Sequence, residues 1–169
     1  LQKYSGTYAQ EAFAQHYFEL ARNEITGSES QQDFLTKALN YNEKLEILYK
    51  DYSDKIVWTR SARIGLLQGN ANDALALLEK LHEKFTEDTY IPFHLGECYQ
   101  KKRDYQKALV YYQKAYSLML LIDSADRIAF CQFKLGNLEG SLDIFRHIVE
   151  ENPMDATAIN AMGMVFFEL

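Results

Sequence analysis

Histidine and cysteine are the side chains of this sequence best suited to bind a metal ion, and they are sparse. His94 and Cys98 lie four positions apart, a spacing that places both on one face of a helix and would supply half of a zinc site. No two of the four histidines are spaced to share a metal on one helix: His16, His82, His94 and His147. We therefore expect no metal site and no cofactor.

The two cysteines are better explained by packing than by redox chemistry. Cys98 and Cys131 occupy equivalent positions of two similar segments, 33 residues apart. Equivalent positions in adjacent helical units lie about 8–10 Å apart, whereas a disulfide needs Cα atoms within about 7 Å. The sequence predicts two buried thiols that do not pair with each other.

Local patterns typical of catalysis are missing from the sequence. It contains no glycine-rich phosphate loop, no nucleophile elbow and no His-Glu-x-x-His pair. The scattered aspartates and glutamates are typical of solvated helix surfaces. We predict that the protein is not an enzyme.

Charge and hydropathy narrow the classes of partner. The chain has 169 residues, is 47% hydrophobic and carries a net charge of −6, with a pI of about 5.2. Such a protein is repelled by phosphate backbones, and its one basic cluster, Lys101–Arg103, is followed by Asp104 as in a solvated loop. No apolar run approaches the ~18 residues of a membrane helix. We expect no nucleic-acid partner and no membrane insertion. The first residue, Leu1, suggests a processed or excised chain, so localisation stays open.

Three segments repeat one order of small and large side chains. They are "ANDALALLEKL" (71–81), "YQKALVYYQKA" (105–115) and "LEGSLDIFRHI" (138–148), and they align at steps of 34 and 33 residues. A small residue begins the pattern and larger ones follow at +4 and +7, which is one face of an α-helix. The small residues are Ala74, Ala108 and Ser141, and the +4 residues are Leu78, Tyr112 and Phe145.

A second predicted helix precedes each of these segments, and a short turn joins the two. Five residues before each small residue lies a turn position, occupied by Gly69, Arg103 and Gly136. Glycine suits a backbone with positive φ in such a turn. The sequence therefore predicts an all-α chain of antiparallel helix pairs that stack to bury their apolar stripes.

This helix–turn–helix period resembles the tetratricopeptide repeat. The segment "HLGECYQKKRDYQKALVYYQKA" (94–115) matches the consensus of that family at six positions: Leu95, Gly96, Tyr99, Ala108, Tyr112 and Ala115. The resemblance covers residues 55–169 well. It implies a right-handed superhelical solenoid of about four and a half helix pairs.

The resemblance also sets the expected domain boundaries. Residues 1–54 would be a divergent N-terminal helix pair, with helices at 11–24 and 37–52. Three repeats would follow at 55–88, 89–121 and 122–155. Residues 156–169 would form the first helix of an unfinished repeat. That helix has an apolar stripe, Ile159, Met162 and Phe166, which could support self-association.

In the family it resembles, certain positions of the first helices face a concave groove. Carried over to this sequence, they give an apolar and aromatic set of candidate partner-binding residues: Arg63, Tyr90, Phe93, Glu97, Phe130, Phe133 and Phe167. The rings of Phe93 and Phe130 are expected to meet. The Lys and Asn with which some relatives clamp a C-terminal carboxylate are replaced by Phe93 and Glu97 in the best-matched repeat.

These features predict a non-catalytic interaction module whose groove binds a protein or peptide segment. One alternative is a small secretion-type chaperone, because "IPFHLGECYQKKRDYQKA" is similar to the central repeat of type III translocator chaperones. Another is a regulatory or sensor arm of a larger enzyme or transcription regulator. The full-length gene product would distinguish these alternatives.

Overall fold

The fold is entirely helical in the part of the chain that the structure describes. A computed structural model describes the backbone of residues 2–50, 54–119 and 122–169, and the side chains of residues 6–50, 54–118 and 124–169. Within these ranges it contains nine α-helices and no strand: α1 (Gln2–Asn23), α2 (Glu29–Leu48), α3 (Lys55–Leu67), α4 (Ala71–Lys84), α5 (Tyr90–Lys101), α6 (Tyr105–Met119), α7 (Ile122–Lys134), α8 (Leu138–Glu151) and α9 (Ala156–Glu168). The predicted all-α helical-repeat solenoid fold is confirmed.

The helices belong to two compact units. The first unit ends at Phe85 and contains α1–α4, and the second begins at Thr86 and contains α5–α9. Consecutive helices pack against each other within each unit. The repeat boundaries stay a prediction. The boundary at residue 121 and the predicted helix end at Tyr52 lie outside the described residues.

In the first unit, α1 and α2 begin earlier than the sequence pattern predicted. Helix α2 begins at Glu29 rather than at Lys37, because Ser28 caps it: the Ser28 hydroxyl accepts a hydrogen bond from the Gln31 amide. Gly27 precedes this cap with a φ of 82°. Phe18 of α1 and Leu35 of α2 pack with Ile64 of α3 in one buried cluster.

The turns between the two helices of each later pair lie where the sequence predicted them. Gly69 and Gly136 have φ values of 90° and 83°, and Arg103 at the equivalent position has a φ of 60°. Arg103 therefore adopts the left-handed conformation that glycine supplies in the other two turns. In each case a backbone amide after the turn bonds back to the end of the preceding helix, as Asp104 does to the Tyr99 carbonyl.

The predicted close contact of α5 with α6 is confirmed at Gly96. A Cβ added to Gly96 would lie 2.6 Å from a ring carbon of Tyr112, closer than real Cβ atoms approach. Tyr112 is fully buried, as are Ala108 and Ala115 on the same face of α6. The remaining core of this unit joins α7, α8 and α9 through residues that include Phe145 and Val165.

Replacing Ala108 with leucine should destabilise the second unit by about 1–3 kcal/mol, because the extra carbons have no space in a packed interior. Ala108 has no exposed surface. Urea unfolding followed by circular dichroism would measure the loss. Val110→Leu on the exposed side of α6 is the matched control and should stay within about 0.5 kcal/mol of the parent. Equal stability of the two variants would contradict the predicted register.

Candidate functional site

The candidate residues of the second unit all lie on α5, α7 and α9. Two caps set where these helices begin. The Asp88 carboxylate accepts hydrogen bonds from the amides of Tyr90 and Ile91, and the Asp155 carboxylate accepts them from Thr157 and Ala158. Pro92 lies in the first turn of α5, where its missing amide hydrogen costs nothing.

Tyr90 and Phe167 are the most exposed of these candidates. Tyr90 is 52% exposed and Phe167 is 88% exposed. Each ring is available to a partner.

Phe93 is half-buried and packs onto the core of its own repeat. Its ring centroid lies 5.6 Å from that of His94 and 5.5 Å from that of Tyr112. These edge-to-face and tilted arrangements suit the charge distribution of aromatic rings. Phe93 therefore combines a structural contact with an accessible face.

Glu97 is held against the surface of α5 by a buried histidine. Its Oε2 lies 2.7 Å from Nδ1 of His94, and His94 is 6% exposed. Burial raises the pKa of the nearby Tyr112 phenol, and the negative charge of Glu97 raises it further. The Glu97 carboxylate is therefore held against His94, close enough for its charge to act on the Tyr112 phenol.

Phe130 and Phe133 are half-buried on α7 and share one cation. The Lys134 Nζ lies 5.4 Å from the Phe130 centroid and 5.1 Å from the Phe133 centroid, within the range of a cation–π contact. Phe130 also meets the Tyr105 ring at 6.1 Å, and Phe133 packs on the α7–α9 core. Lys134, which the sequence analysis did not select, places a positive charge over this pair of rings.

The expected contact between Phe93 and Phe130 is not formed among the described side chains. The ring contacts of Phe93 are with His94 and Tyr112, and that of Phe130 is with Tyr105. Groove-facing positions in adjacent units predicted that the two rings would meet. Instead, the Phe93 ring packs on the second helix of its own pair, and the Phe130 ring packs on the second helix of the preceding pair. The candidate surface therefore consists of separate rings rather than one cluster.

Arg63 lies on α3, in the first unit. Its guanidinium carbon lies 4.6 Å from the centroid of the Phe18 ring, a stacking contact between α3 and α1. Its role as a partner-binding residue stays a prediction.

Two of the three residues of the predicted α9 stripe, Ile159 and Phe166, are exposed, and the third, Met162, packs in part against the core. Ala158 and Val165 are buried, and Met162 packs against the same core. Ile159 and Phe166 remain partly exposed, with Phe166 beneath the guanidinium of Arg146 at 5.9 Å. The buried face is therefore the i, i+4, i+7 set that begins at Ala158, because that face turns toward α8.

The sequence analysis missed a buried polar network in the first unit. Arg60 is 6% exposed, and its Nη1 donates to Oδ1 of Asn42 at 2.9 Å while its Nε donates to Oε1 of Gln15 at 3.2 Å. Asn42 also donates to the Val57 carbonyl at 3.1 Å. Desolvation lowers the pKa of Arg60, and the negative charges of Glu11 and Asp54 oppose that shift.

A signal for this network was present in the sequence. Arg60 lies three positions after Val57 and four before Ile64, and Asn42 lies four positions after Ala38 and three before Leu45. Each therefore falls on an apolar face of its helix. A polar residue in a periodic apolar stripe predicts a buried partner.

Both cysteines are buried and free. Burial raises the pKa of the Cys131 thiol to about 11, so this side chain stays protonated at neutral pH and is a poor nucleophile and metal ligand. Nowhere in the described ranges do three or more His, Cys, Asp or Glu side chains come together in a group that could hold a metal ion. No described helix has the length and apolar character needed to cross a membrane.

A model of the tetratricopeptide repeat matches residues 93–119, which include most of α5 and all of α6. This chain contains a tetratricopeptide repeat. The matched segment includes Gly96, Ala108 and Tyr112, the residues that make the closest helix contact. The predicted resemblance to the tetratricopeptide-repeat family is confirmed.

Solved structures share this tetratricopeptide-repeat fold. The first tetratricopeptide repeat domain of Spaghetti (RPAP3), bound to the HSP90 peptide SRMEEVD, is 16% identical with a TM-score of 0.64, over 72% of this chain and 97% of that one. A putative kinesin light chain from Podosopora anserina with nearly identical TPR-like repeats is 14% identical with a TM-score of 0.69, over 90% and 84%. At these identities the likeness shows the fold.

A curated relative is much longer than this tetratricopeptide-repeat chain. Protein CTR9 homolog from Arabidopsis thaliana is 23% identical over 159 residues. The match covers 91% of this chain and 14% of that protein. The chain thus corresponds to a small part of the relative's length.

Proposed function

We propose that this chain is a non-catalytic module that binds an apolar protein or peptide segment along the first helices of its second unit. The accessible aromatic rings on α5, α7 and α9 carry this proposal: Tyr90, Phe93, Phe130, Phe133 and Phe167. Aromatic side chains supply large contact areas at low entropic cost and dominate binding hot spots. The peptide-bound repeat domain of Spaghetti supports the same mode of action.

The proposed ligand differs from the acidic tail bound by that relative. Its peptide, SRMEEVD, carries three carboxylate side chains. In this chain the negative Glu97 is held against His94 on α5, and Asp126 lies on α7 one turn before Phe130. An acidic tail would be repelled by these groups. An apolar segment, anchored by the rings, would not.

Two opposite charges would give the bound segment a direction. Glu97 lies on α5, and Lys134 lies over Phe130 and Phe133 at the end of α7. A segment with a basic residue toward α5 and an acidic residue toward the end of α7 would pair with both. Charge complementarity of this kind fixes register and raises association rates more than it adds affinity.

A peptide-display selection against the chain would supply ligands. Alanine substitutions of phenylalanines inside and outside the proposed surface would then test where these ligands bind. Phe167→Ala and Phe130→Ala should each weaken binding by about 2 kcal/mol. Phe166→Ala removes a ring of the same kind one residue away and should leave affinity within about 0.5 kcal/mol of the parent. Isothermal titration calorimetry would measure all three.

Stability measurements distinguish a binding ring from a core ring. Phe145 is buried on α8, and Phe145→Ala should cost about 3–5 kcal/mol of unfolding free energy. Phe167→Ala should cost far less, because its ring fills no interior space. Loss of affinity from Phe166→Ala and none from Phe167→Ala would contradict the proposed surface.

A second candidate function is an interaction arm of a larger protein. The specific observation is the match to Protein CTR9 homolog, which covers 91% of this chain but 14% of that protein. A longer transcript or gene product containing this segment would support the arm. Self-association through α9 stays a further prediction, and sedimentation velocity of the parent and Phe166→Ala would test it.

A further inference from the structure

A cleft lies in the second unit, where α6, α7 and α8 meet. Its volume is about 680 Å³, within the range of ligand-binding sites. None of the candidate partner-binding residues lines it. It is therefore a feature separate from the aromatic surface on α5, α7 and α9.

The interior of the cleft is apolar and is lined by branched aliphatic side chains. Ile128 on α7 and Ile144 and Ile148 on α8 contribute to it, and Tyr116 on α6 forms part of its wall. Tyr116 stays partly exposed. Such a lining accepts aliphatic side chains but offers no strong attraction to a fully polar ligand.

One residue of the cleft lining carries a buried acceptor with no hydrogen-bond partner among the described residues. Gln132 lines the cleft at the end of α7, and its Oε1 is buried without a partner. This oxygen lies 2.9 Å from the point where a Cβ on Gly140 would be, so the missing side chain of Gly140 makes room for it. A buried carbonyl oxygen without a partner is costly, so rotation of the Gln132 side chain into the cleft to accept from a ligand N–H would be favourable.

The charged part of the cleft comes from α8. Asp143, His147 and Glu151 line it, whereas α6 contributes the neutral side chains of Gln113 and Tyr116. Asp143 meets Arg146 at 3.5 Å and Glu151 meets His147 at 3.8 Å, and all four side chains are more than half exposed. Exposed pairs of this kind are weak, so both carboxylates can turn to a cationic ligand at little cost.

The length of the acidic edge fixes the size of the ligand. Asp143 and Glu151 are eight positions apart on α8, which is about 12 Å along a helix. An extended chain covers that distance in about four residues at ~3.5 Å each. A short extended segment with a cation at each end therefore matches the two carboxylates.

We propose that this cleft binds an extended segment of a partner protein in which leucine-like side chains lie between two basic residues. The aliphatic side chains occupy the isoleucine-lined interior, the basic groups pair with Asp143 and Glu151, and a backbone or side-chain N–H of the segment donates to Gln132. The ligand chemistry is thus basic and aliphatic.

Three acetylated and amidated peptides test the proposal on the full ¹⁵N-labelled chain by NMR titration. Lys-Leu-Leu-Lys should produce saturable shifts of amides in residues 113–116 and 143–151. Glu-Leu-Leu-Glu should bind about tenfold more weakly because it reverses the charges. Lys-Ser-Ser-Lys should also bind about tenfold more weakly because it removes the apolar anchors.

Matched charge variants separate the cleft from the general acidity of the chain. Asp143→Asn with Glu151→Gln should weaken the binding of Lys-Leu-Leu-Lys about fivefold. Glu139→Gln with Glu150→Gln removes the same charge from exposed positions of α8 outside the cleft and should leave its affinity unchanged. Both pairs lie at the surface, so folding is retained.

Three outcomes would overturn the proposal. One is saturable binding of all three peptides with equal affinity. A second is equal weakening by the two pairs of charge variants. The third is shifts confined to α5 and α9, or no saturable shifts at all with Lys-Leu-Leu-Lys.

Discussion

Replacing Tyr112 with alanine should destabilise the second unit by about 3–5 kcal/mol, among the largest losses expected from one substitution in this chain. Tyr112 is the largest fully buried side chain among those that the structure describes, and its ring covers the backbone of Gly96. Removal of the ring leaves a cavity between α5 and α6. Urea unfolding by circular dichroism would measure the loss, and the fluorescence transition of Trp58, the single tryptophan, would report the first unit separately.

A double-mutant cycle tests whether the cost arises at the Gly96 contact. Gly96→Ala alone should destabilise by about 1–3 kcal/mol, since its Cβ would lie 2.6 Å from the Tyr112 ring. In the Tyr112→Ala background the same change should be neutral or stabilising, because alanine favours helix over glycine by about 1 kcal/mol. Additive losses would show that the two residues do not interact.

The phenol of Tyr112 adds a pH dependence that phenylalanine removes. The Tyr112 Oη donates to Gln100 at 2.7 Å, and burial raises the phenol pKa above its ordinary value. The unfolded side chain loses its proton at about pH 10 while the folded one keeps it, so stability falls as pH rises above about 10. Tyr112→Phe should flatten that fall, leaving the slope due to Cys131, whose pKa is raised to about 11. An unchanged slope in Tyr112→Phe would contradict this assignment.

The helical register could be predicted from the sequence because the same contact between two helices, with the same order of small and large side chains, recurs along the chain. The order small, +4 and +7 placed Ala108, Tyr112 and Ala115 on one buried face, and each is buried. The turn positions were predicted for the same reason, even where Arg103 replaces glycine. A pattern that several segments share averages out the exceptions in any one of them.

Side-chain directions on the proposed surface could not be predicted from repeat positions. Phe93 turns to His94 and Tyr112, and Phe130 turns to Tyr105. The rotamer of each ring depends on neighbours in another helix, and a single sequence gives no contact between helices. Lys134 was left out of the candidate set because a lysine at a helix end resembles a solvated charge until the two rings beneath it are seen.

Replacing Asn42 with alanine should destabilise the first unit by about 3 kcal/mol, because the buried guanidinium of Arg60 loses an acceptor and cannot reach bulk water. Asn42 has no exposed surface and also bonds to the Val57 carbonyl, so the change opens a polar cavity between α2 and α3. The unfolding transition of Trp58 fluorescence would measure the loss, since its Nε1 donates to the Tyr49 carbonyl within this unit.

Replacing both partners together tests whether the hydrogen bonds of this network add to the stability of the fold or only offset the cost of burying its polar groups. Asn42→Leu with Arg60→Met removes the polar groups while keeping most of their volume, and its stability should return to within about 1 kcal/mol of the parent. Arg146→Met, at an exposed arginine of the second unit, controls for the loss of one charge and should change little. If Asn42→Ala leaves the Trp58 transition unmoved, the Arg60 guanidinium must reach water in solution. If instead the double variant is as unstable as Asn42→Ala, the hydrogen bonds of the network make a net contribution to stability and hold α1, α2 and α3 together.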